Sequence, residues 1–349
     1  MQAVVLTAPG RIEAQSLPVP QVGPSELLVK VFATGVCGSD LAVYRGAHPY
    51  KTPPVVLGHE LAGMVVKTGK DVSGFAPGDR VCAASFSHCE SCSACRRGET
   101  HLCEQKTTLC HNGWNGSFAE YVLLKQNMVF SLPGEVDWQL GALVEPLSIG
   151  LHAVRIAARG LGSGRSMAIL GSGNIGLCCL LAAGMLGFRA VCTDVRTEAG
   201  TAARTLGAAS FVDARREDPV EGVSKALGGS ADAVVVAADY ATVFEDAFKM
   251  SAPGGPVVAV SYFGNDRKVP LNSLVTGEHA VIGSALSTAT DIEEVLGWLA
   301  SREIDPRPLI AHTPSLEGIA STMALMDSGM GRIGKAVVDV SGSGKANDA

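Results

Sequence analysis

Ala168-Ile-Leu-Gly171-Ser-Gly173-Asn174-Ile175-Gly176 joins a short apolar run at 167–170 to an Ala/Leu-rich run at 175–186. The first run predicts a buried strand and the second run predicts a helix. The G-x-G-x-x-G spacing between them allows a tight turn and lets a pyrophosphate approach the N-terminus of that helix. The segment therefore predicts a dinucleotide-binding strand, turn and helix, and a glycine turn with a purely structural role is the alternative.

Asp194 supplies the acidic residue that this fingerprint requires. It follows the apolar run at 190–193, which predicts the next strand, at the distance expected for a carboxylate that binds both ribose hydroxyls. Such a carboxylate repels a 2′-phosphate, so the sequence favours NAD over NADP. Arg196 lies close by and softens that preference, because a guanidinium attracts the same phosphate.

Strand and helix runs continue to alternate through the middle of the chain. Further buried strands are predicted at 233–237, 257–260 and 281–282, with a helix at 243–250. Strand, helix, strand is the crossover unit of a parallel sheet. The middle of the chain is therefore expected to form an α/β unit around a parallel sheet.

The flanking segments have a different pattern. Before residue 148, short strands such as 26–33 alternate with Gly and Pro turns, which predicts a β-rich region. After Ser287, one helix at 292–300 leads through a Pro-containing segment to a last strand at 335–340, and 341–349 is expected to be disordered. A chain of 349 residues is too long for one typical core, so two domains are expected.

The composition limits the partners and the compartment. A net charge of −6 offers no general attraction to nucleic acid or to an anionic membrane. The N-terminus lacks the features of a secretory signal, and no apolar run is long enough to span a bilayer. A cytoplasmic protein without nucleic-acid or membrane partners is expected, and most of its ten cysteines are expected to stay reduced.

Four of these cysteines stand close together in a polar segment. Cys89, Cys92, Cys95 and Cys103 follow the spacing C-x2-C-x2-C-x7-C. Four thiolates this close complete a closed tetrahedral zinc shell, which stabilises a loop that has no core of its own. Free or disulfide-linked cysteines and an iron-sulfur cluster are the alternatives.

A second set of metal-binding residue types is spread over three segments. Cys37 and His59-Glu60 each follow a predicted strand, and Glu145 lies inside an apolar run where an unpaired charge would be costly to bury. One Cys, one His and carboxylates form the mixed shell of catalytic zinc, which keeps a position free for water or a substrate oxygen.

Together these features resemble the zinc-containing medium-chain alcohol dehydrogenases, in particular the branch of sorbitol, threonine, idonate and butanediol dehydrogenases. The most specific segment runs from Gly58-His-Glu-Leu-Ala-Gly63 through Gly69 and Val72 to Gly78-Asp-Arg-Val81. The resemblance implies a Rossmann NAD-binding domain at 149–286, inserted into a β-rich GroES-like catalytic domain at 1–148 and 287–349 with a zinc lobe at 86–105. It also implies a homo-oligomer of two or four chains.

The resemblance also assigns roles to individual residues. Cys37, His59 and Glu145 would hold a catalytic zinc, with Glu60 a direct or exchanging ligand. Ser39 would pass the substrate's proton towards solvent, and Asp40 would orient a ligand such as the His59 ring. The nicotinamide side of the cofactor would be lined by Val260, Ser261, Tyr262, Ser284, Ala285 and Leu286.

The implied reaction transfers a hydride between NAD and a secondary alcohol or ketone of a polyol, sugar acid or cyclitol. An amino alcohol such as threonine or a simple diol is the alternative, and a non-catalytic zinc-stabilised binding protein is the alternative from another class. Val43 and Leu286-Ser287 depart from sorbitol dehydrogenases, which have a Tyr and an Arg-Tyr pair at these places. Ala42 stands where classical alcohol dehydrogenases have a proton-relaying His.

Overall fold

The computed structural model describes residues 1–162, 164–329 and 334–342. Most of the tail predicted to be disordered, 343–349, lies outside the described residues. The strands are β1 Gln2–Ala8, β2 Arg11–Ser16, β3 Glu26–Gly35, β4 Val55–Val56, β5 Glu60–Thr68, β6 Arg80–Ala83, β7 Phe86–Ser87, β8 Thr107–Thr108, β9 Tyr121–Lys125, β10 Val129–Ser131, β11 Ser166–Leu170, β12 Arg189–Asp194, β13 Ser210–Asp213, β14 Ala233–Val236, β15 Pro256–Ala259, β16 Ala280–Gly283, β17 Ile310–His312 and β18 Lys335–Asp339.

The α-helices are α1 Gly38–Tyr44, α2 Ser93–Arg96, α3 Trp138–Ala142, α4 Val144–Ala157, α5 Asn174–Met185, α6 Ala199–Thr205, α7 Pro219–Leu227, α8 Val243–Met250, α9 Leu271–Thr276, α10 Ala289–Ser301 and α11 Ile319–Asp327. Three short 3₁₀ turns lie at Thr100–Leu102, Gln126–Met128 and Arg307–Leu309. Within the described ranges, no helix is both long enough and apolar enough to cross a membrane.

The chain forms two compact units. The first consists of Met1–Glu145 and Thr288–Ala349, and the second of Pro146–Ser287. We call them the outer unit and the central unit, after their order along the chain.

The central unit is built on a six-stranded parallel sheet. Its strand order is β13-β12-β11-β14-β15-β16, so the order reverses between β11 and β14. The middle strands β11 and β14 are mainly apolar, as expected for strands covered on both faces, and all four residues of β14 are buried. This topology confirms the predicted α/β fold with a doubly wound parallel sheet. Ligands of such sheets bind at the carboxyl ends of the strands where the order reverses.

The outer unit is β-rich. Its largest sheet runs β10-β6-β5-β3-β18-β17, with β9 pairing with β3 as well, and β2-β1-β4 and β7-β8 form smaller sheets. The strand β3 pairs antiparallel with both β5 and β18. A strand from the end of the chain is therefore hydrogen-bonded to one from the beginning.

The prediction of one helix after Ser287 was wrong, because α11 follows α10. Ile319, Met323 and Met326 are buried at helical spacing on α11. The segment that was predicted only as a Pro-containing connection therefore also contains the amphipathic pattern of a helix. The helix predicted at 292–300 also begins earlier, at Ala289. Thr288 and Asp291 form a capping box there, and polar caps lie outside the apolar period.

Candidate metal and nucleotide sites

Cys37, His59 and Glu60 come together in the outer unit. Gly35, the last residue of β3, pairs with Glu60, the first residue of β5, so the residues next to this pair are neighbours in space. Potential ligand atoms of the three side chains all lie within 4.8 Å of one another. A thiol, an imidazole and a carboxylate can thus converge on one ion, as the strand ends in the sequence predict.

Glu60 has one satisfied and one unsatisfied carboxylate oxygen. Oε1 accepts a hydrogen bond from the Lys335 ammonium, whereas Oε2 is buried and has no hydrogen-bond partner. A Cβ on Gly35 would lie 2.0 Å from Oε2, so only glycine leaves space for this carboxylate. An orphaned buried carboxylate oxygen beside a thiol and an imidazole fits a metal cation, which would satisfy it.

Asp40 lies against the imidazole of His59. Asp40 Oδ1 is 3.4 Å from His59 Nδ1, and Asp40 Oδ2 accepts a 2.9 Å hydrogen bond from the backbone N–H of Cys37. Burial acts to raise the pKa of Asp40, but the charges and hydrogen bonds around it, His59 foremost, outweigh burial and lower it. A carboxylate in this position is suited to orient the ring, which is the role that the family resemblance implies.

Glu145 lies in the first turn of α4 and is buried. Burial, together with the nearby charge of Glu60, raises its pKa, while His59, Ser85 and Lys335 act in the opposite direction. Among the described residues, the closest three-residue ligand sets do not include Glu145. The structure therefore brings Glu60, rather than Glu145, into the set with Cys37 and His59.

Sequence reasoning missed Lys335, Cys110 and Lys51 near this centre. Asp40, His59 and Cys110 form a second buried set with ligand atoms within 4.8 Å, and the Cys110 thiol donates a 3.3 Å hydrogen bond to the Gly58 carbonyl. Lys335 carried a signal, because a Lys that begins an apolar strand needs a partner when buried. Cys110 and Lys51 carried none, since each is one polar residue in a loop.

The four-cysteine cluster gathers as predicted. The Sγ atoms of Cys89, Cys92, Cys95 and Cys103 all lie within 4.8 Å of one another, and all four thiols are free. Backbone N–H groups already point at sulfur: those of Cys89 and Gln105 donate to Cys103 Sγ, and that of Cys92 donates to Cys89 Sγ, each at 3.3 Å. Such N–H groups stabilise thiolates, so the donor set fits a tetrahedral zinc ion rather than disulfides.

The glycine loop has the geometry that close approach to a phosphate requires. Gly171 follows β11 with φ +97°, and a Cβ on Gly176 would lie 1.9 Å from the Gly171 carbonyl oxygen. Gly173 caps α5, whose first residues are Asn174 and Ile175. Asn174 Oδ1 is buried without a hydrogen-bond partner. The helix N-terminus and this free oxygen are suited to a bound dinucleotide.

Asp194 ends β12 beside the glycine loop, but its carboxylate is engaged. Its Oδ2 accepts a 2.9 Å hydrogen bond from the backbone N–H of Ser172. The Arg196 guanidinium donates to both oxygens, Nε to Oδ1 and Nη2 to Oδ2, each at 2.9 Å. Burial acts to raise the pKa of Asp194, and the hydrogen bonds and charge of Arg196 outweigh it and lower it. Ribose hydroxyls that bind Asp194 must therefore share its carboxylate oxygens with the Ser172 N–H and the Arg196 guanidinium, or displace these donors.

The residues implied to line the nicotinamide follow the carboxyl ends of β15 and β16. The Ser284 N–H donates to the Ala259 carbonyl at 2.8 Å, and Ser284 Oγ is buried without a partner. Tyr262 is 87% exposed, and Leu286 adopts a left-handed conformation with φ 55°. The remaining members of this group are Val260, Ser261 and Ala285. They lie in the loops that follow the carboxyl ends of the parallel strands, as Gly171 does after β11.

Comparison with known proteins covers most of the chain. The family described as "Alcohol dehydrogenase GroES-like domain" matches residues 23–134, and the family described as "Zinc-binding dehydrogenase" matches residues 174–301. Sorbitol dehydrogenase of Bacillus subtilis (strain 168) is 30% identical over 329 residues, which cover 93% of this chain and 92% of that protein. L-idonate 5-dehydrogenase of Vitis vinifera is 33% identical over 310 residues, 86% of this chain and 84% of that protein.

A solved structure supports the same family relationship. The 2R,3R-butanediol dehydrogenase from Bacillus subtilis has a TM-score of 0.88 and 26% sequence identity, with 97% of this chain and 99% of that chain covered. The predicted combination of a GroES-like domain with a nucleotide-binding α/β domain is confirmed by these matches.

Proposed function

The chain belongs to the zinc-containing medium-chain alcohol dehydrogenase family, and we propose that it oxidises a secondary alcohol of a polyol, sugar acid or cyclitol with NAD. The observation that carries this proposal is the buried, unpartnered Oε2 of Glu60 beside Cys37 and His59. A fold kept only for stability has no need to leave a carboxylate oxygen unsatisfied in its interior.

We assign the catalytic metal to Cys37, His59 and Glu60, with Glu145 as the carboxylate that exchanges with Glu60. When bound, a zinc ion supplies a Lewis acid that lowers the pKa of an alcohol, and the dinucleotide supplies the hydride acceptor. Asp40 holds the His59 ring, and Lys335 holds one oxygen of Glu60. Each contact orients a metal ligand through one of its polar atoms and leaves another atom of that side chain available to the metal.

Ser39 is our candidate for carrying the substrate proton towards solvent. It lies in the first turn of α1, two residues after Cys37, and its side chain is half-buried. A hydroxyl in such a position can accept one proton and donate another.

We propose NAD as the cofactor, with NADP the weaker candidate. Gly171, Gly173, Asn174, Ile175 and Gly176 would cradle the pyrophosphate, and Asp194 would bind the ribose hydroxyls. A carboxylate disfavours a 2′-phosphate, whereas Arg196 favours one. A zinc-binding dehydrogenase target from Sinorhizobium meliloti 1021, 29% identical with a TM-score of 0.88 and with 97% of this chain and 99% of that chain covered, was solved bound to NADP.

The substrate class is supported by the names of the relatives, a sorbitol and an idonate dehydrogenase. The test is oxidation of polyols, aldonates, inositols, threonine and butanediol at constant NAD, with zinc content measured on the same protein. Turnover of the first three classes with two zinc ions per chain is expected. A preference for threonine or butanediol would show that the substrate is an amino alcohol or a simple diol instead. One zinc ion per chain without turnover of any alcohol would favour the non-catalytic binding protein.

We further propose that the protein acts in the cytoplasm as a dimer or tetramer. All ten cysteines are free, and a reducing compartment keeps them so. With a net charge of −6, neither nucleic acid nor an anionic membrane is proposed as a partner.

A further inference from the structure

The Lys51 ammonium lies near the proposed metal ligands and has no hydrogen-bonded acceptor among the residues that the structure describes. Its side chain is buried, with 7% of the residue exposed. Within the described residues, the ammonium forms no hydrogen bond or ion pair. The ionisable groups with the strongest effect on it are Cys110, Asp40 and Cys37, which surround the proposed metal centre. Burial acts to lower the pKa of Lys51, but the groups around it outweigh burial and raise it, so the side chain stays charged. Because no acceptor of the protein hydrogen-bonds to this ammonium, we expect an anion from outside the protein to bind it.

The neighbouring groups are already engaged. Asp40 contacts the His59 ring and accepts the N–H of Cys37. The Cys110 thiol donates a hydrogen bond to the Gly58 carbonyl oxygen. Cys37 belongs to the set that fits the metal. These groups attract the Lys51 ammonium electrostatically, but none of them forms a hydrogen bond or an ion pair with it.

The loop that carries Lys51 is held in place. His48 Nδ1 accepts the backbone N–H groups of Tyr50 at 3.4 Å and Lys51 at 3.1 Å. The His48 ring packs edge-on against Tyr50 with 4.5 Å between centroids, and Tyr50 packs against His111 at 5.1 Å. Burial and the Lys51 charge lower the pKa of His48 to about 4, so its ring stays neutral and can accept these bonds at neutral pH. Lys51 is therefore a positioned cation rather than a mobile surface residue.

We propose that the Lys51 ammonium binds an oxyanion of the substrate, a carboxylate or a phosphate, so that the oxidised alcohol belongs to a sugar acid or a sugar-alcohol phosphate rather than to a neutral polyol. This inference rests on the proposed function and narrows its substrate class. An ammonium is a compact point charge that forms strong charge-assisted hydrogen bonds with either anion. Lys51 then determines specificity, while the metal ligands act on the alcohol.

The test compares glucitol, gluconate and glucitol 6-phosphate as substrates of the zinc-loaded full chain with NAD. For the wild type, kcat/KM is expected to be at least about 10-fold higher for one of the two oxyanions than for glucitol. Lys51→Met should remove about 10- to 100-fold of kcat/KM for that oxyanion, mainly through KM, and change glucitol less than about threefold. Lys51→Arg should retain part of the advantage, because the positive charge remains.

Lys67→Met is the matched control, because Lys67 is an exposed residue of β5 and its removal changes the net charge equally. It should leave the ratio between substrates unchanged. The oxyanion substrate whose kcat/KM falls most in Lys51→Met shows whether the group that Lys51 binds is a carboxylate or a phosphate. A wild type without preference for either oxyanion, or an equal loss for glucitol and the oxyanions in Lys51→Met, overturns the proposal.

A binding measurement separates this inference from the proposed function. Calorimetric titration of gluconate and glucitol 6-phosphate in the presence of NADH permits no oxidation, so it reports affinity alone. Weaker binding by about 10-fold or more in Lys51→Met, with zinc content and melting temperature kept, supports the role of Lys51. Equal binding refutes it. Absence of turnover with every alcohol would instead refute the proposed dehydrogenase reaction.

Discussion

Lys335 and Glu60, 275 residues apart in the chain, form an ion pair inside the outer unit. Lys335 is 2% exposed and Glu60 is fully buried. Gly35 lies between their strands, since it pairs with Glu60 of β5 on one side and with Val337 of β18 on the other. The pair leaves Glu60 with one oxygen for the ammonium and one for a metal.

Lys335→Met should destabilise the metal-free protein by about 3–5 kcal/mol, because it leaves the Glu60 charge buried and unpaired. Urea unfolding measures the change. The double variant Lys335→Met/Glu60→Gln should regain much of the loss, since no buried charge remains. Zinc should reduce the penalty of the single variant, because the ion neutralises Glu60. A change below about 0.5 kcal/mol, the range of ordinary surface substitutions, would contradict this account.

Cys37→Ser should remove one of two zinc ions per chain and abolish turnover, because a serine hydroxyl is a poor zinc ligand at neutral pH. Metal analysis of the purified protein gives the stoichiometry. Cys178→Ala is the control, since Cys178 is a buried thiol of α5 in the central unit and is assigned no ligand role. Retention of both zinc ions and full activity in Cys37→Ser would exclude the assignment.

Arg196→Ala should increase the preference for NADH over NADPH by about 10-fold or more, the effect of one charge-assisted hydrogen bond. The substitution frees the Asp194 carboxylate for ribose hydroxyls and removes a cation suited to a 2′-phosphate. Fluorescence titration with each reduced cofactor gives the two dissociation constants without any substrate. Arg216→Ala, an exposed guanidinium that pairs with Asp213, should leave their ratio unchanged. A ratio that moves towards NADPH in Arg196→Ala would contradict the prediction.

His48 should titrate near pH 4 in the folded protein, because burial and the Lys51 charge lower its pKa from 6.5. NMR titration of the imidazole C–H signals measures the midpoint. A depressed histidine pKa means that protons bind the unfolded chain more tightly. The stability contribution of His48 is thus present above pH 6.5 and is lost as the pH falls towards 4.

Lys51→Met should raise this midpoint without restoring it to 6.5, since burial remains, and Lys67→Met should not move it. A midpoint near 6.5 in the wild type would show that burial and the Lys51 charge do not lower the pKa of His48.

The proposed ligand sets could be predicted from sequence because Cys37 follows β3, His59 and Glu60 lie side by side at the start of β5, and the four cysteines have a fixed local spacing. The four cysteines lie within fifteen positions, so spacing alone brings them together. Glu145 and Glu60 were both candidates, and only the register between β3 and β5 brings Glu60 beside Cys37. The sequence indicates that Lys335 needs a partner, but it could not identify Glu60 as that partner, because this depends on which strand lies beside β3. The sequence places Arg196 near Asp194, but the bidentate contact depends on side-chain conformation.

Because Lys335 lies 275 residues after Glu60, the Glu60 carboxylate lacks this counter-charge during most of protein synthesis. The ribosome has made the Cys37, His59 and Glu60 segment long before Lys335 appears. A nascent chain that has released Glu60 but not Lys335 has no β18 to pair with β3 and no Lys335 ammonium to neutralise the Glu60 carboxylate. Ordering of this strand is therefore a late step, and a stop codon upstream of residue 335 would yield a chain in which the ion pair cannot form.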